Sequence, residues 1–448
     1  MSSSPVDAEV LIVGAGIGGL TLAAILSRLD ISCKVLERSD VLRPVGAGIS
    51  LSPNGLRMLD QLGVYEKVLE AGQKLRKVQI WRGNKLWNTV DWAGCEVKFG
   101  YPVMSLERHH FHRLLFDAAG GDDVVQFGTK IVDVIDDPSE SFVRVFSDEG
   151  KEFRAHVVVG ADGIRSVIRR CLARDAGLKE ANTIKFTGRV HMSGITAPLE
   201  HLSTQDLGVA NWMLYENSTL TTWPCPDNRQ WFIGVTVRKV LRTPAHAGRG
   251  DPQLILATKQ KTDEKVDNDR SIWSNCDEDT INSVYGDKFH PFAEKGEFRD
   301  IVEKNERILA CNMFQEVEFP SMARGRVCLI GDSAHSMTSA FGQGGNLAIE
   351  DAAVLASLIQ ENRGSLEQKV EPILQKYSQM REKRAKEVVK FSFRFILLHG
   401  AFLPYGIGPL LRWLIYAFLP GGAWLWFLEF LYGFQPTVPH LDFASTKT

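Results

Sequence analysis

The 448-residue sequence predicts an α/β fold: a Rossmann-like nucleotide-binding domain on a parallel sheet, interleaved with a mostly antiparallel β domain and followed by C-terminal helices. Three observations predict it. Near the N-terminus an apolar strand runs into a glycine-rich turn and a helix. In the last third of the chain a second apolar strand does the same. Between them, residues 183–240 alternate apolar and polar with the period of half-buried strands. The length suffices for a large core and two or three domains.

Composition narrows the function classes. Apolar residues make up 44% and charged residues 24%, the balance of a folded chain rather than a disordered one. A net charge of −2 argues against non-specific binding to nucleic acid. The seven cysteines are scattered and none forms C-x-x-C, which suits a reducing compartment and points to no metal site. Met1–Glu9 is short and polar, leaving no room for a secretory signal before the first strand. A cytoplasmic location is expected.

The first element is the strand Val10-Leu11-Ile12-Val13, followed by Gly14-Ala15-Gly16-Ile17-Gly18-Gly19 and a helical run to Leu29. In G-x-G-x-x-G, Gly14 makes the tight turn, Gly16 lets the backbone approach a pyrophosphate, and Gly19 lets helix and strand pack closely. The free N–H groups of the helix N-terminus favour the anion. The next strand, Cys33 to Leu36, ends at Glu37, placed to bind ribose hydroxyls, with Arg38 beside it. The motif alone does not choose between FAD and NAD.

The late strand, Val327 to Ile330, ends at Gly331-Asp332. Asp332 can accept a hydrogen bond from a ribose or ribityl hydroxyl. Gly342-Gln343-Gly344-Gly345 then opens a helix through Leu347 and Leu355. Glycines there keep side chains away from a flat ligand, and the positive helix end faces the charge a reduced isoalloxazine carries.

Taken in order, these stretches resemble the motifs of the group A flavin-dependent monooxygenases, the aromatic hydroxylase and epoxidase family, over about residues 8 to 385. The resemblance extends to Val158–Ser166, similar to the family's Asp-Gly motif with Asp162. It extends also to Leu106-Glu107-Arg108, to Gly46-Ala47-Gly48-Ile49 and to Pro53-Asn54-Gly55. It implies FAD bound by Gly14, Gly16, Gly19, Glu37, Arg38, Ala47, Gly48, Arg108, Asp162, Asp332, Gly344 and Gly345. It also implies NAD(P)H as co-substrate; the single G-x-G-x-x-G suits a nicotinamide that binds transiently in a groove. One position departs: Ser339 stands in the pocket-side turn where the family usually has Pro.

The resemblance further implies the chemistry. Reduced flavin adds O2 to give a C4a-hydroperoxide, which delivers one oxygen atom by epoxidation or hydroxylation, while the protein supplies a dry pocket and protons. Gly188–Gly194 is similar to the corresponding stretch of fungal indole-alkaloid monooxygenases, which implies a catalytic role for Arg189. A bulky, lipophilic secondary metabolite is expected as substrate, an indole alkaloid first and a prenylated alkene or phenol second. Tyr215 and Ser339 are further pocket candidates. An FAD-dependent dehydrogenase or reductase of the same fold is the rival enzyme.

Domain boundaries follow. Residues 1–75, 101–180 and 305–388 form the FAD-binding domain, 76–100 and 181–304 the substrate domain, and 389–448 an apolar helical segment. His109, His110 and His112 lack a completing ligand set and read as a solvated helix start. His335 reads as structural, and Arg381–Lys386 as a solvated helix face. Residues 391 to 434 hold fourteen aromatics, but Pro404, Pro409, Pro420 and Gly421-Gly422 interrupt every run before the ~20 apolar residues of a span. Docked helices with peripheral membrane contact are expected there.

Overall fold

The computed structural model describes residues 6–44, 46–178, 184–216, 218–237, 274–316, 321–338, 341–400 and 407–441. Ser339 lies outside the described residues. The first eight-stranded sheet has the order Ala323–Arg324, Val327–Leu329, Glu152–Gly160, Ala8–Val13, Cys33–Leu36, Val125–Gln126, with the antiparallel strands Ile131–Ile135 and Val143–Ser147 beside Glu152–Gly160. Its central pairs are parallel, in the register Val10↔Val157, Val10↔Cys33 and Val158↔Val327. Leu11, Ile12 and Val157 to Val159 are fully buried, because helices cover both faces of a parallel sheet. The helices Ile17–Arg28 and Gln343–Glu361 pack on each other, and a Cβ at Gly18 would stand 3.2 Å from Ala348 Cβ.

The second eight-stranded sheet has the order Ser274–Asn275, Asn305–Glu316, Ile184–Thr196, Gln230–Val237, Ser218–Pro224, Val209–Leu214, Lys77–Arg82, Lys85–Asp91. It is antiparallel except where Val209–Leu214 runs parallel to Lys77–Arg82. The boundary expected at residue 305 is corrected here. Asn305–Glu316 pairs with Ile184–Thr196 along most of its length, so the second sheet extends to Glu316.

The helix Leu366–His399 packs across Gln343–Glu361, and Gly408–Phe418 and Gly421–Tyr432 follow. Trp424, Leu428, Leu431 and Tyr432 are buried against Trp92, Cys95 and Trp212. The outward face is apolar: Leu410, Phe418 and Trp426 are 59%, 61% and 72% exposed. Among the described residues no single helix is long and apolar enough to cross a membrane; the last two pass that test only together, and they meet at 107°.

The expected solvated face at Arg381–Lys386 is also corrected. Arg381 is wholly buried, 2.9 Å from Glu350 and 2.7 Å from Asp351, and Arg384 binds Glu350 at 2.7 Å. Glu350 and Asp351 sit fully buried in an apolar helix and need cations; the crossing helix supplies Arg381 and Arg384, and His335 lies beside Asp351. Phe434 covers both guanidinium groups, 5.2 and 4.5 Å from the ring centre.

Candidate active site

A cavity of about 410 Å³ lies between the two sheets. On one side it is walled by the two glycine turns. Gly14 has φ +107°, and a Cβ there would stand 2.5 Å from Ala161 O. A Cβ at Gly19 would stand 2.1 Å from Gly14 O. Protein packing demands these two glycines. Gly16 and Gly344 differ: a Cβ would find only Ala161 O at 3.8 Å and Asp332 Oδ1 at 4.0 Å. Both line the cavity, so a side chain there would fill ligand space rather than strike protein. Neither of the helices they open, Ile17–Arg28 and Gln343–Glu361, has a side-chain cap, so their first N–H groups remain available to an anionic or electron-rich ligand. This cradle fits FAD: the free N–H groups at the two helix ends would hold its anionic and electron-rich parts.

The first turn is held from two sides. Glu37 accepts hydrogen bonds from Ala15 N at 2.9 Å and Ser39 N at 2.8 Å. His112 Nε2 donates to Ala15 O at 2.6 Å. His112 is buried, and burial pushes its imidazole down to about 4, so the ring is a neutral donor. The solvated reading of the three histidines therefore holds only for exposed His110. Arg38 is exposed and outside the cavity walls. Arg108 opens the helix Arg108–Ala118 and lines the cavity with Asp332. Asp332 is reached through the cavity yet enclosed by protein: burial raises its carboxyl, while His335, Arg108 and Arg169 oppose the rise. Burial lowers the Arg108 guanidinium, and Asp332 counters it.

Ala47 and Gly48 also line the cavity, and Arg108 N donates to Ala47 O at 3.0 Å. A Cβ at Gly48 would stand 2.1 Å from Trp231 Cδ2, so this glycine exists for the indole that presses on it. Gly345 faces Ile49, whose Cδ1 a Cβ would meet at 3.1 Å. Asp162 is tied to a neighbouring helix. Its Oδ2 accepts from Val167 N at 2.7 Å, beside the Ser166 cap of the helix Val167–Asp175, while its neighbours Ala161 and Gly163 form the cavity wall.

Residues 7–262 and 303–392 match the family model described as an FAD binding domain. The FAD-dependent monooxygenase pynG of Aspergillus niger is 45% identical, the match covering 98% of this chain and 99% of that one. The chain belongs to the FAD-dependent monooxygenases. The FAD-dependent monooxygenase paxM of Penicillium paxilli is 28% identical over 87% of this chain and 78% of its own. Klebsiella pneumoniae HpxO, solved with FAD and uric acid, shares the fold at TM-score 0.75 and 21% identity, over 95% of this chain and 97% of that one. A salicylate hydroxylase–substrate complex matches at TM-score 0.69 and 20% identity, over 95% of each chain.

The far side of the monooxygenase's cavity is walled by Trp212, Trp223, Phe341 and Phe395, with the polar side chains His191, Ser193, Thr219, Thr221 and His399 between them. Trp212 centres the ring cluster, edge-on to Phe395 at 6.1 Å and to His399 at 5.5 Å. Arg189 is not a cavity wall. Its Nη1 donates to Thr187 O at 3.3 Å, and burial lowers its guanidinium. The pairs His191↔Val235 and Ser193↔Ile233 line the cavity; Arg189↔Val237 lies two residues further along the same ladder, beyond the wall. Tyr215 is corrected from pocket to core: it follows the strand Val209–Leu214, and its hydroxyl donates to Phe289 O at 3.1 Å. His191 and Ser193 were findable, since a strand repeats its facing every second residue from Arg189. Phe395 and His399 carried no local signal.

Proposed function

We propose that this enzyme draws reducing equivalents from NAD(P)H and inserts one atom of O2 into a flat, largely apolar secondary metabolite. An indole alkaloid ranks first and a prenylated alkene or phenol second. One oxygen atom goes to the substrate by hydroxylation or epoxidation; the other leaves as water, with NAD(P)+ as the oxidised product. FAD, when bound, supplies the electron and oxygen chemistry. The chain's own residues orient the cofactor, exclude water and present the substrate face. The observation that carries this reading is that the uncapped helix ends and the aromatic wall of Trp212, Trp223, Phe341 and Phe395 share one cavity. To Arg189, two residues along the strand from His191, we assign the role of steadying developing charge.

The test is NADPH oxidation by flavin-loaded protein with a panel of indole alkaloids and prenylated phenols under ¹⁸O2. Label in a product supports the reading. An oxidised product without label moves the protein to the dehydrogenase class.

The outward Leu410, Trp413, Leu414, Phe418 and Trp426 support a second property, contact of a cytoplasmic enzyme with a lipid surface. Serine at Trp413, Phe418 and Trp426 should then abolish co-sedimentation with phosphatidylcholine vesicles and leave FAD bound. Equal sedimentation of both proteins would reject it.

A further inference from the structure

The C-terminal segment contributes to the cavity itself. His399, the last residue of the helix Leu366–His399, is buried but lines the cavity beside Phe395 and Ile396. Its ring stacks on Phe395 at 5.4 Å and meets Trp212 edge-on at 5.5 Å. Its Nδ1 lies 3.0 Å from the hydroxyl of Tyr416, which is wholly buried and has no other recorded hydrogen-bond partner among the described residues. A buried phenol donates its proton when an acceptor is at hand. If Nδ1 carried the hydrogen instead, the Tyr416 O–H would have nowhere to go. Nδ1 is therefore the acceptor, and the hydrogen sits on Nε2. Burial, reinforced by nearby Arg412, pushes the imidazole down to about 3 and keeps the ring neutral, as this arrangement requires.

Position is fixed as firmly as tautomer. Arg412, one turn before Tyr416 on the same helix, donates Nη1 to His399 O at 3.1 Å and to Tyr215 O at 3.0 Å. One guanidinium thus satisfies an orphan carbonyl at the helix end and ties it to the substrate sheet. Nε2 makes no hydrogen bond within the described protein, and, unlike the indole nitrogen of Trp212, it is not sealed off.

We propose that His399 is a substrate-recognition residue: its Nε2–H, held as the donor by Tyr416, hydrogen-bonds a carbonyl or similar acceptor oxygen of a flat ligand lying against Trp212 and Phe395. The proposal deepens the reading of this cavity as the substrate site and rests on it. It makes the pocket selective for an oxygen-bearing ring over an equally flat hydrocarbon.

The experiment uses FAD-loaded protein and two bicyclic probes of similar shape, coumarin with its carbonyl and naphthalene without one. Dissociation constants are read from the perturbation of the flavin absorption bands. The ratio of naphthalene to coumarin constants should fall about three- to tenfold from wild type to His399→Phe, the loss of one hydrogen bond. His399→Gln, which keeps a side-chain N–H, should restore much of the ratio. Tyr416→Phe should lower it with the ring still present. An unchanged ratio in His399→Phe, or binding of neither probe to wild type, overturns the proposal. If His399→Phe loses FAD, an unchanged ratio in Tyr416→Phe overturns it instead. Binding is read without turnover, so a failed ¹⁸O2 experiment strikes the proposed reaction and leaves this result standing.

Discussion

Gly344 and Gly48 stand on the same cavity for opposite reasons. A Cβ at Gly344 meets no protein closer than 4.0 Å, whereas one at Gly48 would lie inside the Trp231 ring contact at 2.1 Å. Gly344→Val should therefore leave the apoprotein's melting temperature nearly unchanged while flavin content falls at least tenfold, about 1.4 kcal/mol of binding or more. Gly48→Ala should instead lower the melting temperature, as overpacking costs typically about 1–3 kcal/mol. Flavin-to-protein absorbance ratios and thermal scans separate the two. Arg189 calls for a different readout. Arg189 stands two residues, about 7 Å, from His191 along the strand. Arg189→Ala should keep FAD bound and lower product formation; full turnover in the yellow variant would remove any catalytic role. Asp332→Ala should release the flavin if its carboxylate holds the cofactor, as its place on the cavity wall with Arg108 suggests; a fully loaded yellow variant would count against that role.

At the scale of elements, the charged network under the cofactor helix is the feature with the largest energetic stake. His335 Nε2 lies 2.5 Å from Asp351, Gly331 N donates to Asp351 at 2.9 Å, and Arg381 bridges Asp351 to Glu350. The network locks the end of the strand Val327–Leu329 to the helix that opens at Gly342. Arg381→Leu leaves two buried carboxylates short of a cation and should cost about 3–5 kcal/mol. A urea titration checks this, with Lys383→Leu as the exposed control on the same helix. This network also marks where the sequence was legible. The two strand–turn–helix motifs could be read because each is local, and so could the alternation of the substrate strands. Arg381 was misread because a dense charge run reads as a solvated face, and Lys383 within it does face water. The available clue was the pair Glu350-Asp351 inside the otherwise apolar run Leu347–Ile359. The roles of Phe395 and His399 had no local clue at all. They depend on Arg412 and Tyr416 bringing a helix end to a sheet, a contact between segments that are remote in the chain from Trp212.

For the whole molecule, buried neutral histidines set the response to acid. Burial holds His112 and His191 at about 4 and His290 and His399 at about 3. In the unfolded chain each titrates near 6.5. Between those values the unfolded state binds more protons than the native one, so stability falls as pH drops below about 6.5 and keeps falling toward about 4. Asp351, held near 2 by His335 and Arg381, adds a further loss only below about 4, where the unfolded carboxylate protonates. The acid sensitivity of the first window therefore belongs to histidine. His290 is the cleanest probe, because it sits outside the cavity, with Nε2 2.9 Å from Thr222 Oγ1 and Nδ1 accepting from Phe292 N at 3.1 Å. Unfolding free energy should drop steeply from pH 6.5 to 4.5, and His290→Gln should flatten that slope by up to roughly 1.4 kcal/mol per pH unit, one proton's worth. The urea midpoints are taken at saturating FAD, whose binding to the native state alone would otherwise shift with pH and add to the slope. Equal slopes in both proteins would mean that His290 is already charged in the native state.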